Sequence, residues 1–275
     1  CDFQLNRFLT MKIFISADIE GIAGVSNWDE TSVNGPGYEE ARHLMTQEVL
    51  AACQGALDAG CKEIVIKDAH GSGRNIISSQ LPECITLVRG WSGHPYSMLQ
   101  EIDNTFDATI MIGYHSAAGS DSNPLAHTFT SNVAQISLNG ELASEFLINA
   151  LTSTLVNVPV VFVSGDKGIC EEVTKFNNNI ETRFVSQGRG ASSICISPKQ
   201  AYQNIKDGVN KALKKNVSAC RVELPEFFEL KIRFTDPISA YRASFYPGMI
   251  KSDKQLVTFE TNDYFDLLRM LQFII

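Results

Sequence analysis

Residues 13–24 read Ile13-Phe14-Ile15-Ser16-Ala17-Asp18-Ile19-Glu20-Gly21-Ile22-Ala23-Gly24. The apolar run Ile13 to Ile15 predicts a buried strand. It ends in two carboxylates, Asp18 and Glu20, and then in glycines. In an extended backbone, residues two apart point to the same side. Both acids are therefore expected to aim at one point just past the strand. Two such carboxylates repel each other and are costly to desolvate unless a cation lies between them. The pair reads as the first half of a divalent metal site. The plainer alternative is a turn or capping pair after a strand.

Outward from that strand, hydrophobic periodicity alternates between strand and helix. Pro36-Gly37 precedes a helical pattern from about Tyr38 to Ala59, with Gly60 as its C-terminal cap. Short strands are expected at Glu63–Ile66, 85–89, Ala108–Gly113, Val133–Leu138 and Val158–Val163, and helices over 95–102, 141–155 and Pro198 to about Lys215. From about Leu224 the pattern changes. Phe228–Phe234 alternates as a half-exposed strand does, Gln255–Glu260 is a second strand, and Asp263–Phe273 is an amphipathic helix. The expected fold class is α/β: a central, mainly parallel or mixed sheet flanked by helices, with a smaller C-terminal α+β part. The expected division is an N-terminal extension at 1–10 with Met11 as the natural start, an α/β catalytic domain at 11–220, and a C-terminal segment at 221–275 serving as lid or oligomer interface.

With 275 residues, of which 44% are hydrophobic, the chain can bury a sizeable core. Its formal net charge of −8 argues against nucleic acid or an anionic membrane as partner. No apolar run approaches the roughly 20 residues of a membrane span. The seven cysteines include no Cys-x-x-Cys pair and are expected to be reduced structural thiols, which places the protein in the cytoplasm.

Sheets of this kind bind ligands beyond the carboxyl ends of their strands. The polar residues fall there: Asp18 and Glu20 after the first strand, Asp68 and His70 after the second, His115 after the next long one and Asp166 after Val158–Val163. His127 lies close by. Imidazole with carboxylate is the usual zinc ligand set in hydrolytic sites. Paired metals need a bridging carboxylate, for which Asp18 is placed. Each histidine alone has a plainer reading as a loop or strand-end residue bonded to backbone, and His43 and His94 are given that reading. Glu141 and Glu145 remain rivals on the 141–155 helix. Lys67 and Arg89-Gly90-Trp91 are left as substrate or intersubunit contacts. Gly21 to Gly24 lacks the Gly-x-Gly-x-x-Gly order of a dinucleotide loop.

The pieces Asp18-x-Glu20-Gly-x-x-Gly24, Asp68-x-His70-Gly71, Gly113-Tyr114-His115, Ala126-His127-Thr128 and Asn139-Gly140 through Glu145 occur in this order. In that order the chain resembles the D-aminopeptidases of the DppA type, peptidase family M55, over roughly 11–220 and more weakly to the end. Ala69 and Phe146-Leu147 depart from that pattern, and neither is a proposed ligand. The resemblance implies a zinc-dependent aminopeptidase that removes N-terminal D-amino acids from short peptides such as D-Ala-D-Ala. It implies two zinc ions held by Asp18, Glu20, His70, His115 and Glu145, with His127 as catalytic residue. By position alone, Asp68 is read as orienting His70 or shaping its turn, and Asp166 as doing similar work or capping the next segment. The resemblance also implies a ring-shaped homo-oligomer, a decamer. The alternatives are a metal-dependent amidase or L-selective aminopeptidase on the same scaffold, and a non-catalytic ring-forming peptide-binding protein.

Overall fold

β1 (Lys12–Ala17) is an interior strand, third in order, of a seven-stranded sheet in the computed structural model, which describes residues 11–275. The extension expected over 1–10 lies outside the described residues. The other strands are β2 (Glu63–Asp68), β3 (Ile85–Val88), β4 (Ala108–Tyr114), β7 (Val160–Asp166), β8 (Glu181–Arg189) and β9 (Ser192–Cys195). They lie in the order β3-β2-β1-β4-β7-β8-β9, and every pairing but β8–β9 is parallel. β1, β4 and β7 are almost wholly buried, as expected of parallel strands covered on both faces. The order reverses between β1 and β4. Such a switch point opens a crevice at the carboxyl ends of the strands.

A second, antiparallel sheet joins β5 (Val133–Leu138), β6 (Glu141–Leu142), β10 (Phe228–Phe234), β11 (Ile250–Lys251) and β12 (Leu256–Thr261) in the order β11-β12-β10-β5-β6. The C-terminal strands thus pair with a hairpin from the middle of the chain, Ile232 facing Ile136 in the register. The two layers are the α/β architecture with a smaller α+β part that the periodicity predicts.

α1 (Trp28–Thr31) is a single turn, closed by a capping box between Asn27 and Glu30. α2 (Tyr38–Asp58) and α5 (Pro198–Lys214) pack on each other and against the large sheet. Between the two sheets runs α3 (Glu145–Leu155). Its Phe146 and Ala150 belong to the core of the large sheet, and its Ile148 and Leu151 to the core of the small one. A helix apolar on opposite sides is one buried on both. α4 (Lys167–Phe176), α6 (Pro237–Ala243) and α7 (Tyr264–Ile274) complete the chain, α7 covering β10 and β12.

Several elements differ from expectation. Over 95–102 only a 3₁₀ turn forms, Ser97–Leu99, because Ser97 and Glu101 take φ of 46° and 76° and stop helix propagation. The 141–155 helix begins at Glu145. Asn139 and Gly140, at φ of 50° and 85°, make a hairpin turn that returns Glu141–Leu142 to pair with β5. Ser144 then caps the helix, its Oγ accepting from Leu147 N–H. Glu145 is consequently the first helical residue, not one in mid-helix. α4, α6, β8 and β9 were not expected. Among the described residues the cysteines are free thiols: Cys53, Cys61, Cys170 and Cys220 are buried, Cys84 and Cys195 exposed.

Candidate metal centre

Asp18 follows the last residue of β1, and the chain turns at once: Asp18 N–H donates to the Ile112 carbonyl and Gly21 N–H to that of Gly113. Gly113 is at φ +70°, and a Cβ there would overlap the Asp18 carbonyl oxygen. The acids therefore converge through a tight turn against β4, and not through strand alternation. Each is 2% exposed, so their charge must be answered inside the protein.

Three imidazoles meet them. His70, in the loop after β2, sets Nδ1 3.2 Å from Asp18 Oδ1 and 3.0 Å from Glu20 Oε2. His115, after β4, sets Nε2 3.5 Å from Asp18 Oδ2 and 3.5 Å from Glu145 Oε2. His127 sets Nε2 3.7 Å from Glu145 Oε1. The ligand atoms form two groups, Asp18 with Glu20 and His70, and His115 with His127 and Glu145. Asp18 turns one oxygen to each group. Glu145 reaches the site from the tip of α3, where a helix N-terminus favours negative charge. Glu141 lies apart, exposed and paired with Lys175 at 2.9 Å.

The far nitrogen of each ring is held by backbone. His70 Nε2 is 2.8 Å from the Thr31 carbonyl, His115 Nδ1 3.0 Å from that of Ser116, and His127 Nδ1 3.0 Å from that of Leu125. A carbonyl only accepts, so these nitrogens carry the hydrogen in the neutral rings. The lone pair then faces the carboxylates, as metal-ligating histidines require. Glu20 Oε2 and His115 Nε2 are buried without an aligned hydrogen-bond partner. Buried unpaired groups of this kind are costly, and a divalent cation among them satisfies both. The donor set fits zinc.

Protons answer the charge when no cation does. Burial works to raise the Asp18 carboxyl, but His115 and His70 outweigh it and hold it well below the usual carboxylate range. Burial disfavours imidazolium at both histidines, yet Glu20 and Asp18 push His70, and Glu145 and Asp18 push His115, well above their ordinary value. Metal binding displaces such protons.

Asp68 shapes the loop that carries His70. Its carboxylate accepts from Asn75 N–H, Asn75 Nδ2 and Ile76 N–H, while Asn75 Nδ2 also donates to the His70 carbonyl. Asp166 does the equivalent beside His115, accepting from Ser116 N–H and Oγ, Asn123 Nδ2 and Ile169 N–H. Neither acid is hydrogen-bonded to an imidazole.

Other contributors escaped the sequence reading. Trp28 of α1 lies edge-on to the His127 ring at 5.2 Å, and Thr31 holds His70. The Asn27-x-x-Glu30 spacing was the signal for that turn. Phe129, at φ 62°, donates its N–H to Glu145 Oε1 at 2.6 Å. The centre opens into a cavity of about 820 Å³, whose walls include Trp91, His94 and Tyr96 from the loop after β3 and Leu268 and Leu271 from α7.

A family model described as D-aminopeptidase, peptidase M55, matches residues 11–273. A D-aminopeptidase of Bacillus subtilis (strain 168) is 29% identical over 257 residues, covering 92% of each chain. Among solved structures, the Zn-dependent D-aminopeptidase DppA from Bacillus subtilis, described as a self-compartmentalizing protease, superposes with a TM-score of 0.90 at 26% identity, covering 96% of each chain.

Proposed function

The chain belongs to the D-aminopeptidases of peptidase family M55, and on that premise we propose that it is a zinc-dependent aminopeptidase cleaving short peptides with an N-terminal D-residue. The observation that carries this reading is the shared orientation of the three imidazoles. Each is fixed by a backbone carbonyl on one side and turned toward Asp18, Glu20 or Glu145 on the other.

In this reading Asp18, Glu20, His70, His115 and Glu145 would hold two zinc ions, Asp18 offering one oxygen to each group of ligands. When bound, the metals supply Lewis acidity at the scissile carbonyl and a water of lowered pKa. His127 Nε2, on the cavity side of the cluster, moves the proton to the departing amine. Asp68 and Asp166 keep the loops of His70 and His115 in place. The catalytic residues come from 11–220, while 221–275 serves as a cover through Leu268 and Leu271.

In this reading the chain assembles into a ring, a decamer; the relative described as self-compartmentalizing supports self-association and no particular number of subunits. Exposed Tyr241 and Phe245, touching edge to face at 5.0 Å, are apolar surface suited to such a contact. Exposed free thiols at Cys84 and Cys195 suit the reducing cytoplasm. No helix among the described residues is long and apolar enough to cross a membrane.

The test is hydrolysis of D-Ala-D-Ala beside L-Ala-L-Ala, before and after metal stripping and zinc return. The expected result is cleavage of the D-dipeptide that is lost on stripping and restored by zinc. Cleavage of the L-dipeptide alone would move the substrate assignment. Absence of turnover with zinc bound would overturn the enzymatic reading. Sedimentation velocity tests the ring, which predicts a mass near ten chains.

A further inference from the structure

Behind the metal centre runs a buried chain of hydrogen bonds whose direction follows from its closed end. The Met98 carbonyl only accepts, so Ser16 Oγ gives its single proton there, at 2.9 Å. Ser16 Oγ must then accept from the Tyr114 hydroxyl, 2.8 Å away. With that proton spent, the Tyr114 oxygen accepts from Asn149 Nδ2 at 3.1 Å. The same Nδ2 also meets Met98 Sδ at 3.1 Å, which occupies its second proton. Turned the other way, the amide would set its oxygen against a phenol oxygen with no proton between them. The orientation of Asn149 is therefore fixed by chemistry.

Asn149 Oδ1 is the open end of this chain. It accepts no hydrogen bond among the described residues, and it is not one of the sealed polar atoms. Asn149 is 2% exposed and lines the cavity of about 820 Å³ at the metal centre, so the surface its amide keeps faces that space. Glu145 and Asn149 stand four apart on α3, which makes their side chains neighbours on one face. Tyr114, which holds Asn149, directly precedes His115. The free oxygen thus stands beside the ligand cluster, already aimed.

We propose that Asn149 Oδ1 receives the free α-amine of the substrate's first residue, and that Asn149 is thereby a specificity-determining residue that restricts cleavage to the N-terminal peptide bond. The proposal rests on the aminopeptidase reading and names the group that reads the amine. In an amino acid the amine and the carbonyl carbon share one Cα, so the group that reads the first must stand next to the group that activates the second. Asn149, one turn after Glu145, has that place. With Asp18, Glu20 and Glu145 engaged as metal ligands, an uncharged amide oxygen is the acceptor beside them. Protonated or neutral, the amine has an N–H to give. An acylated amine brings a bulky group to the same buried spot. Two bonds at Nδ2 hold the amide before the substrate arrives, so little freedom is lost on binding.

The test uses two zinc chelators that differ only in the amine, D-alanine hydroxamate and propionohydroxamate, with Kd read by calorimetry on the zinc-loaded protein. The parent is expected to bind the amine-bearing compound at least ten-fold more tightly. Asn149→Ala and the volume-keeping Asn149→Leu are expected to retain zinc, to cut that ratio to three-fold or less, and to lower kcat/KM on D-Ala-D-Ala at least ten-fold. A merely structural role would weaken both hydroxamates alike and leave the ratio intact. An intact ratio in either folded variant overturns the proposal, as does a parent that binds the two compounds equally. If no D-peptide is cleaved, the aminopeptidase reading fails instead, and the hydroxamate ratio still decides the role of Asn149.

Discussion

The rings of His115 and His127 lie face to face, their centroids 4.4 Å apart and their planes 9° from parallel. Both direct Nε2 toward Glu145. The stack is closed on its outer side by the edge of Trp28. Two neighbouring imidazoles in one orientation make a ligand and its working neighbour hard to tell apart by eye, and substitution separates them. His115→Ala is expected to lower the zinc content measured by inductively coupled plasma mass spectrometry. His127→Ala is expected to keep full zinc and to lose about 10²–10⁴-fold in kcat. Loss of one zinc equivalent in His127→Ala would make His127 a ligand and refute its role in proton transfer.

Gly113→Ala tests the turn that aims Asp18. The added methyl would overlap the Asp18 carbonyl oxygen at a backbone φ of +70°, so strand ends must separate and a left-handed residue is strained. A destabilisation of about 3 kcal/mol or more is expected from denaturant titration, with reduced zinc retention on dialysis. A variant as stable as the parent would show that β1 and β4 part easily there.

Asp166→Asn tests the support of His115. An amide in place of the carboxylate turns a donor toward the Ser116, Asn123 and Ile169 donors. Loss of about 1–3 kcal/mol of stability is expected, together with roughly a 10–100-fold weaker hold on zinc. Competition with a fluorescent chelator reads the second effect. Unchanged zinc affinity in a destabilised variant would confine Asp166 to the scaffold.

Glu48 predicts a pH dependence away from the centre. One of its oxygens accepts from Ala23 N–H at 2.9 Å and the other has no partner. Burial pushes its carboxyl up from 4.5 to about 8 against the pull of that bond. Between those values the unfolded chain has released a proton that the folded chain keeps. Stability therefore falls as pH rises from about 4.5 to about 8. Glu48→Gln escapes this, so its melting temperature relative to the parent should rise between pH 5 and pH 8. An equal difference at both pH values would show the carboxyl ionised in the fold.

The strand ends were legible because short apolar runs stop abruptly at polar residues, as Ile13–Ile15 does before Asp18 and Ala108–Gly113 before His115. Glu145 was legible only through motif order. Its helix merges in sequence with Glu141-Leu142, and nothing in those residues marks the short strand that the Asn139-Gly140 turn returns to β5. β8 was missed because its mixed exposure lacks the clean alternation that marks a half-buried strand. The carbonyls of Thr31, Ser116 and Leu125 could not be read at all, since every residue has one and only the fold says where it points. The α7 wall was hidden for a similar reason: Leu268 and Leu271 show the spacing of a helix that packs, without saying what else their side chains meet.

α3 belongs to both hydrophobic cores and carries Glu145 at its first turn. The small sheet is thus tied to the chemistry of the large one by a shared beam. The molecule cannot melt by halves and keep a working centre. A substitution that loosens the C-terminal strands is consequently expected to disturb the setting of Glu145 as well as the fold.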